Sequence, residues 1–411
     1  MSSRNTVKAM PPVVVVGGTL NALGVVRSLA REGMPIFLVV TTRWRTAAWS
    51  RFCHVVRTPT AQGYDLVDAL RKLSTRIGQR AVLLLTEDRD VEVVSNFREE
   101  LEQCYRFSLP SKEMVRTLAD KTLFQKFAET EGFPVPRTVI LSEPEDLPLL
   151  QSVSPPVVIK PNNFQLVSDR GVKRAVRVDS LKQARAVATE MLKSVGGIVV
   201  QEWIEGTDSD IFFTLFACDA HSRMMGLFSG RKLTCYPKEL GSTAVCSAAG
   251  EPGDELAKLS LQFVERVRYK GVGSLEFKRD RKTGRFVIIE PTVGRTDWQE
   301  EIATLCGVNI PAIAYWTELG RKFRQEPCEL ARIAWRSSIE HRPPAGILLP
   351  RTRIVDGHFR VADPLPGLYH YGIERFAQPI WMLAERGYRL CAGGVTSGNQ
   401  PSVVRTKENV R

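Results

Sequence analysis

Residues 271–295, GVGSLEFKRDRKTGRFVIIEPTVGR, decide the fold. They read as two strands joined by a turn-rich stretch from Arg279 to Arg285, and hence as a hairpin. The hairpin brings two glutamates, Glu276 and Glu290, near each other. Adjacent buried carboxylates repel unless a proton or a cation neutralises them. A hard, oxygen-seeking ion such as Mg²⁺, which also meets phosphate oxygens, is the natural partner. A pair of solvated strand ends would look the same, so the pair gains its weight from what stands upstream.

Upstream, Lys160 ends the apolar strand Pro156 to Lys160. A lysine at the mouth of a buried strand is costly unless an anion meets it. A phosphate is the functional candidate, and a lysine snorkelling to the surface is the structural alternative. Lys121 opens the preceding helix, where the helix dipole also favours an anion. Further on, the extended edge Gln201 to Ile204 offers backbone groups to an adenine edge, with Trp203 as a flat apolar surface. Asp208 or Asp210, past the Gly206 turn, suits the ribose hydroxyls.

At 411 residues the chain calls for two or three domains. Its 43% hydrophobic and 25% charged residues describe a soluble globular protein. The first residues lack a signal-peptide layout, and no apolar run approaches the roughly 18 residues of a membrane span. The eight cysteines are scattered without a CxxC and read as reduced thiols of a cytoplasmic protein. A net charge of +12 raises the question of nucleic acid. The basic residues form no dense run or aromatic-interleaved stripe, so a surface excess or attraction to anionic substrates is the better account.

The first segment alternates strands (Val13 to Val16, Pro35 to Val40, Ala81 to Leu85) with helices at Ala22 to Glu32 and Tyr64 to Leu73, as in a parallel α/β sheet. Gly17, Gly18 and Gly24 have the wrong spacing for a dinucleotide fingerprint, and the second strand ends at Val40 without an acidic ribose ligand. A tight strand-to-helix turn accounts for them. From Ser111 the texture becomes α+β. A helix carries Leu123, Phe124, Phe127 and Ala128 on one face, with Asp120 near its start and Gly132 past its end. Strands follow at Lys173 to Val178, Ile198 to Glu202 and Ile211 to Ala217, with a helix from Ser180 to Ser194. The division expected is 1–111, 112–320 and 321–411. In the last part an apolar helix from Gln378 to Arg386 precedes a frayed end from Gly393.

The order of these parts resembles the ATP-grasp superfamily, in its carboxylate–amine ligase or carbamoyl-phosphate-synthase-like subgroup. The resemblance covers roughly residues 10–320. It rests on VVVVGGTLNALG, ADKTLFQKFAETEGFPVP, VVIKP, VVQEWIEGTDSD, the basic turn SGRKLTCYP, GVGSLEFKRD, and VIIEPTVGR followed by GVNIP. It implies a Rossmann-like pre-ATP-grasp domain at 1–111 and a two-subdomain ATP-grasp fold at 112–320. Within the latter, a lid spans about 120–200 and a metal-binding part about 201–320, and a C-terminal appendage follows. Lys121 and Lys160 would hold the α and β phosphates, and Gln201, Trp203 and Ile204 would line the adenine cleft. Asp208 or Asp210 would bind ribose. Glu276 and Glu290 would carry one or two Mg²⁺ ions, with Mn²⁺ as an alternative. Lys232 would meet the γ-phosphate or the acyl-phosphate. Arg295 would stabilise the transferring phosphoryl group or dock the substrate carboxylate.

The sequence departs from the family pattern in two places. Thr292 stands where an asparagine usually completes the metal shell, and Arg295 is displaced by one residue. The lid loop, NNFQLVSDRGVK, has Gly171 alone where relatives have several glycines, and Lys173 would replace some of that phosphate contact. Asp297, Trp298 and Glu300 either recognise an amine or begin a helix, and the helix start is favoured. GVNIPAIAYW is expected to be a helix behind the metal strands. The five histidines form no cluster and suggest no general base.

The reaction implied is ATP-dependent. A small-molecule carboxylate becomes an acyl-phosphate, and an amine or ammonia then takes the acyl group. The alternatives are carbamoyl-phosphate-synthase-like or carboxylating chemistry, and a nucleotide-binding regulatory protein without turnover. The resemblance also implies a homodimer as the common state.

Overall fold

Four consecutive valines form β1 (Val13–Val16), buried on both faces as an inner parallel strand requires. The structure, a computed structural model, describes residues 10–42, 44–60, 63–162, 173, 175–323 and 332–375. Around β1 lie β2 (Ile36–Val40), β3 (His54–Arg57), β4 (Ala81–Leu85) and β5 (Tyr105–Arg106). They make a parallel sheet of order β3-β2-β1-β4-β5. Helices α1 (Leu20–Ala30), α2 (Gly63–Ile77), α3 (Asp88–Asn96) and α4 (Arg98–Glu102) connect the strands. β3 and β5 were not legible as strands, being short or largely exposed. Gly17 makes the tight turn into α1: its φ is +115°, and a Cβ there would lie 2.0 Å from the Thr86 hydroxyl.

The expected helix after Ser111 is two helices, α5 (Lys112–Ala119) and α6 (Lys121–Thr130). Asp120 sits between them in extended backbone and accepts the amides of Thr122 and Leu123 at 2.8 and 2.9 Å. This cap starts α6 at Lys121. Gly132, with φ +69°, lets the chain leave it.

The segment expected to be a lid holds an antiparallel sheet of β6 (Thr138–Leu141), β7 (Val157–Pro161), β8 (Val176–Val178) and β9 (Ile198–Glu202), ordered β6-β9-β7-β8. Helix α7 (Leu181–Ser194), capped by Ser180, packs its Ala184, Ala188 and Met191 onto it. The expected strand at Lys173 begins only at Val176. Residues 163–172, with Gly171, lie outside the described residues.

The third sheet holds β10 (Ile211–Cys218), β11 (Met224–Tyr236), β12 (Ser242–Ala248), β13 (Gly271–Arg279), β14 (Phe286–Val293), β15 (Ile333–Arg336) and β16 (Arg353–Asp356). Its order is β14-β13-β10-β11-β12-β15-β16. Every residue of β10 is buried because both faces are covered. Phe212 and Phe216 join the core of α8 (Gly253–Val267), while Phe213, Leu215 and Ala217 join that of α10 (Ile310–Glu318). This is the period-two alternation of a two-sided strand. The two cores also take in alternate valines of β1, so the first and third sheets share them.

The segment expected to be an appendage contributes β15 and β16 to this sheet and returns to α1. There, buried Arg27 donates to Asp363 at 3.0 Å and to the carbonyls of Gly357 and His358 at 2.7 Å. The helix expected at Gln378–Arg386 and the chain from Gly393 lie outside the described residues. Among the described residues, six cysteines (53, 104, 218, 235, 246 and 306) are thiols rather than halves of disulfides. No described helix is long and apolar enough to cross a membrane.

Candidate active site

β13 and β14 pair antiparallel, with Glu276 opposite Glu290 and Ser274 opposite Thr292. Leu275 and Phe277 on β13, and Phe286 and Ile288 on β14, belong to the core. Strict alternation would put Glu290 on the same buried face as Ile288. The register shifts between Glu276 and Phe277: Phe277 faces Ile288, while Glu276 faces Glu290. Ile289 is therefore an extra residue, a bulge that turns Glu290 and Thr292 to the side of Glu276.

Three ammonium groups from other elements meet this pair. Lys121 Nζ, at the start of α6, lies 3.5 Å from Glu290 Oε2. Lys232 Nζ, on β11, donates to Glu276 Oε2 at 2.5 Å. Lys160, on β7, is coupled electrostatically to Glu290, Lys121, Glu276 and Lys232. The Lys121 charge is the main reason that the Glu290 carboxyl is held down to about 2. Burial opposes the charge of Lys232, but Glu276 outweighs it and raises the pKa of the ammonium. Burial pushes Glu276 itself up. Lys160 is lowered by burial, then by Lys121, against the pull of Glu290. Its ammonium donates to Gln201 Oε1 at 3.0 Å, a neutral acceptor that leaves its charge uncancelled.

Other expectations are corrected. GRK is not a turn but the interior of β11, where a Cβ on Gly230 would lie 2.2 Å from the Phe213 ring. Gln201 is not on an edge, because β9 pairs with both β6 and β7. Its contribution is the side chain, which holds Lys160 while donating to Thr138 Oγ1 at 3.1 Å and Gln125 Oε1 at 3.3 Å. Trp203 donates its amide to Pro156, and its ring lies under the Arg177 guanidinium (4.6 Å) and the Lys278 ammonium (5.7 Å). The Ile204 amide meets no acceptor among the described residues.

Asp208 and Asp210 turn away from a ribose role. Both are buried, and Asp208 accepts the amides of Cys235 and Glu239 at 2.9 Å each. Asp210 accepts the Thr207 amide and Arg281 Nε, each at 2.7 Å. Asp208 thus holds the β9–β10 connection to the end of β11 and the turn after it, and Asp210 holds it to the β13–β14 turn; the sequence pattern does not reveal these partners. Lys173 is exposed.

Arg295 makes a two-point contact with Asp88, Nε to Oδ1 at 2.5 Å and Nη2 to Oδ2 at 3.0 Å. Gly294, just before it, has a φ of +69°. Asp297 lies 3.8 Å from Arg295 Nη1 and accepts from Ser274 Oγ at 3.4 Å, so it belongs to the site. Glu300 does not, because its carboxylate is buried against Ser28 and Thr304 just before α9 (Glu301–Leu305). Asp88 and Ser274 were missed. Asp88 had a signal, since it begins a helix at the carboxyl end of a parallel strand, where α/β sheets bind ligands.

Burial, then the Glu301 charge, pushes the Glu300 carboxyl up to about 8. The folded chain keeps a proton that the unfolded chain releases, so from about pH 4.5 to 8 this group lowers stability as pH rises. The Glu300→Gln variant should flatten that decline, by at most about 1.4 kcal/mol per pH unit. Its melting temperature should exceed wild type at pH 8 and match it near pH 4.5. Equal melting temperatures at both would contradict the buried-acid assignment.

Among the described residues, no three His, Cys, Asp or Glu side chains converge as a self-sufficient metal site. Two carboxylates on one face with a threonine beside them fit Mg²⁺, which takes one or two carboxylates and keeps its other positions for water and phosphate.

No family model matches the sequence. The chain is 21% identical over 322 residues to D-aspartate ligase of Enterococcus faecium (strain Aus0004), covering 72% of this chain and 74% of that protein. Its fold is similar to N5-carboxyaminoimidazole synthetase of Staphylococcus aureus complexed with ADP, with TM-score 0.60, 10% identity, and 79% and 82% of the two chains covered. It is also similar to the β,γ-ATP complex of Campylobacter jejuni biotin carboxylase, with TM-score 0.60, 14% identity, and 76% and 72% covered. Both likenesses to solved structures are likenesses of fold.

Proposed function

We propose that the chain is an ATP-dependent ligase that activates a small-molecule carboxylate as its acyl-phosphate and passes the acyl group to an amine or ammonia. The observation that carries this reading is the register-paired Glu276 and Glu290 with Lys121, Lys160 and Lys232 around them. A substrate carboxylate oxygen attacks the γ-phosphorus, the bond to the β-phosphate oxygen breaks, and ADP leaves. The amine nitrogen then attacks the acyl carbon, the bond to phosphate breaks, and the amine gives up a proton. The first step needs charge cancelled more than covalent help.

Lys121 and Lys160 bind the phosphates, with Gln201 orienting the Lys160 ammonium through its Oε1. The Ile204 amide, which meets no acceptor among the described residues, and the Trp203 ring bound the adenine cleft, and Lys173 covers the phosphates from the lid. Lys232 pairs with Glu276 and stands ready for the transferred phosphoryl group. Arg295 meets the carboxylate or the phosphoryl group. Glu276 and Glu290 would hold Mg²⁺, with Mn²⁺ as a substitute and Thr292 reaching the ion or its water; the ion supplies charge neutralisation to the phosphates. A cytoplasmic site of action and a homodimer belong to the same proposal.

The similarity to a D-aspartate ligase supports an amino-acid-like acid. Similarity to the biotin carboxylase domain of Hydrogenobacter thermophilus 2-oxoglutarate carboxylase, in complex with MgADP and bicarbonate, supports bicarbonate as a second candidate acid. Mg²⁺-dependent ADP release, screened against pools of carboxylic acids and bicarbonate with and without amines, is the test. Release that needs one acid and rises with one amine is the expected result. ATP binding without release in any pool would favour the regulatory alternative.

A further inference from the structure

The guanidinium of Arg295 is shaped by the N-terminal sheet. Arg295 forms a parallel bridge with Leu85 at the end of β4. The preceding Gly294 is tucked so closely against α3 and the segment after β5 that a Cβ would lie 2.8 Å from Val91 and 2.5 Å from Leu109. Asn21 of α1 and Thr296 exchange hydrogen bonds at 2.7 Å in both directions. The backbone of this loop is thus held by the N-terminal sheet, and Asp88 extends that hold to the side chain.

An arginine has five N–H donors. Asp88 takes one on Nε and one on Nη2, and the Thr296 carbonyl takes one on Nη1 at 3.0 Å. One N–H remains on each terminal nitrogen, and such a pair matches a carboxylate or a phosphoryl group. Asp297, 3.8 Å from Arg295 Nη1, accepts from Ser274 two residues before Glu276 on β13, which places the guanidinium beside the glutamate pair. We propose that Asp88 is a positioning residue: it clamps one edge of Arg295 so that the outer edge is presented to the substrate anion, making the N-terminal sheet a working part of the reaction centre. This inference rests on the ligase reading for the identity of that anion.

Asp88 is 56% exposed, so its ion pair contributes little to stability. Releasing it frees a long side chain whose ordering costs about 1.5–2 kcal/mol, which converts to a rate loss of roughly tenfold or more. In Asp88→Ala, kcat for acid-dependent ADP release should fall about tenfold or more, with the KM for ATP within about twofold and the melting temperature unchanged. Asp88→Glu should recover part of the rate. Adding Asp88→Ala to Arg295→Ala should cost nothing further.

Phenylglyoxal labelling of Arg295, followed by peptide mass spectrometry, reads the clamp without turnover. Its rate should rise several-fold in Asp88→Ala. An unchanged labelling rate, or an unchanged or faster kcat where wild type turns over, overturns the proposal. Absence of ADP release from wild type would instead defeat the ligase reading and leave the labelling to decide the role of Asp88.

Discussion

Replacing Glu290 with glutamine should lower Mg²⁺-dependent ADP release by about 10³-fold, the scale on which a preorganised charge-stabilising group acts. The amide keeps the volume and removes the charge. Lys121, 3.5 Å away, then loses its carboxylate partner, and Glu276 is left to hold the ion alone. Folding should be affected far less. The folded carboxyl is held down to about 2, so its contribution to stability is present above about pH 4.5 and is lost as pH falls toward 2. The side chain is 46% exposed, however, and solvent screening limits that contribution to about 1 kcal/mol or less at neutral pH. ADP release and thermal melting, measured side by side, check both halves. Undiminished release in this variant would remove the metal assignment.

The second large effect is on stability. Arg27→Ala should cost about 3–5 kcal/mol, as expected when one partner of a buried ion pair is removed. Asp363 would retain only the Ser50 hydroxyl and the Arg51 amide, each at 3.0 Å. The carbonyls of Gly357 and His358 would lose their donor. Against a typical total of about 5–15 kcal/mol this is a large share. Arg27→Lys should recover little, since an ammonium cannot reproduce the fork that serves a carboxylate and two carbonyls together. Urea unfolding of the three proteins gives the comparison. A loss below about 1 kcal/mol for Arg27→Ala would show that the returning segment is held by other contacts.

Much of the site could be read locally. The hairpin around Arg279–Arg285 follows from its turn residues, and the start of α6 at Lys121 follows from the Asp120 cap. The buried strand ending at Lys160 was legible as an apolar run. The roles given to Asp208 and Asp210 were not, because a carboxylate beside a glycine turn reads alike whether it faces a ligand or backbone amides. The GRK segment misled for a related reason: its glycine serves the Phe213 ring across the sheet rather than a turn.

The alternation of elements, the helix caps and the presence of two glutamates on paired strands were legible in local sequence, since propensity, capping and periodicity act over a few residues. Tertiary structure alone decided which way those groups face and what they meet. The bulge at Ile289 turns Glu290 away from the core, Lys232 reaches Glu276 from another strand, Asp88 clamps an arginine 207 residues along the chain, and β15 and β16 join the third sheet. These are pairings between distant segments, selected by burial, charge neutralisation and hydrogen-bond satisfaction once the chain has folded, and no local pattern carries them.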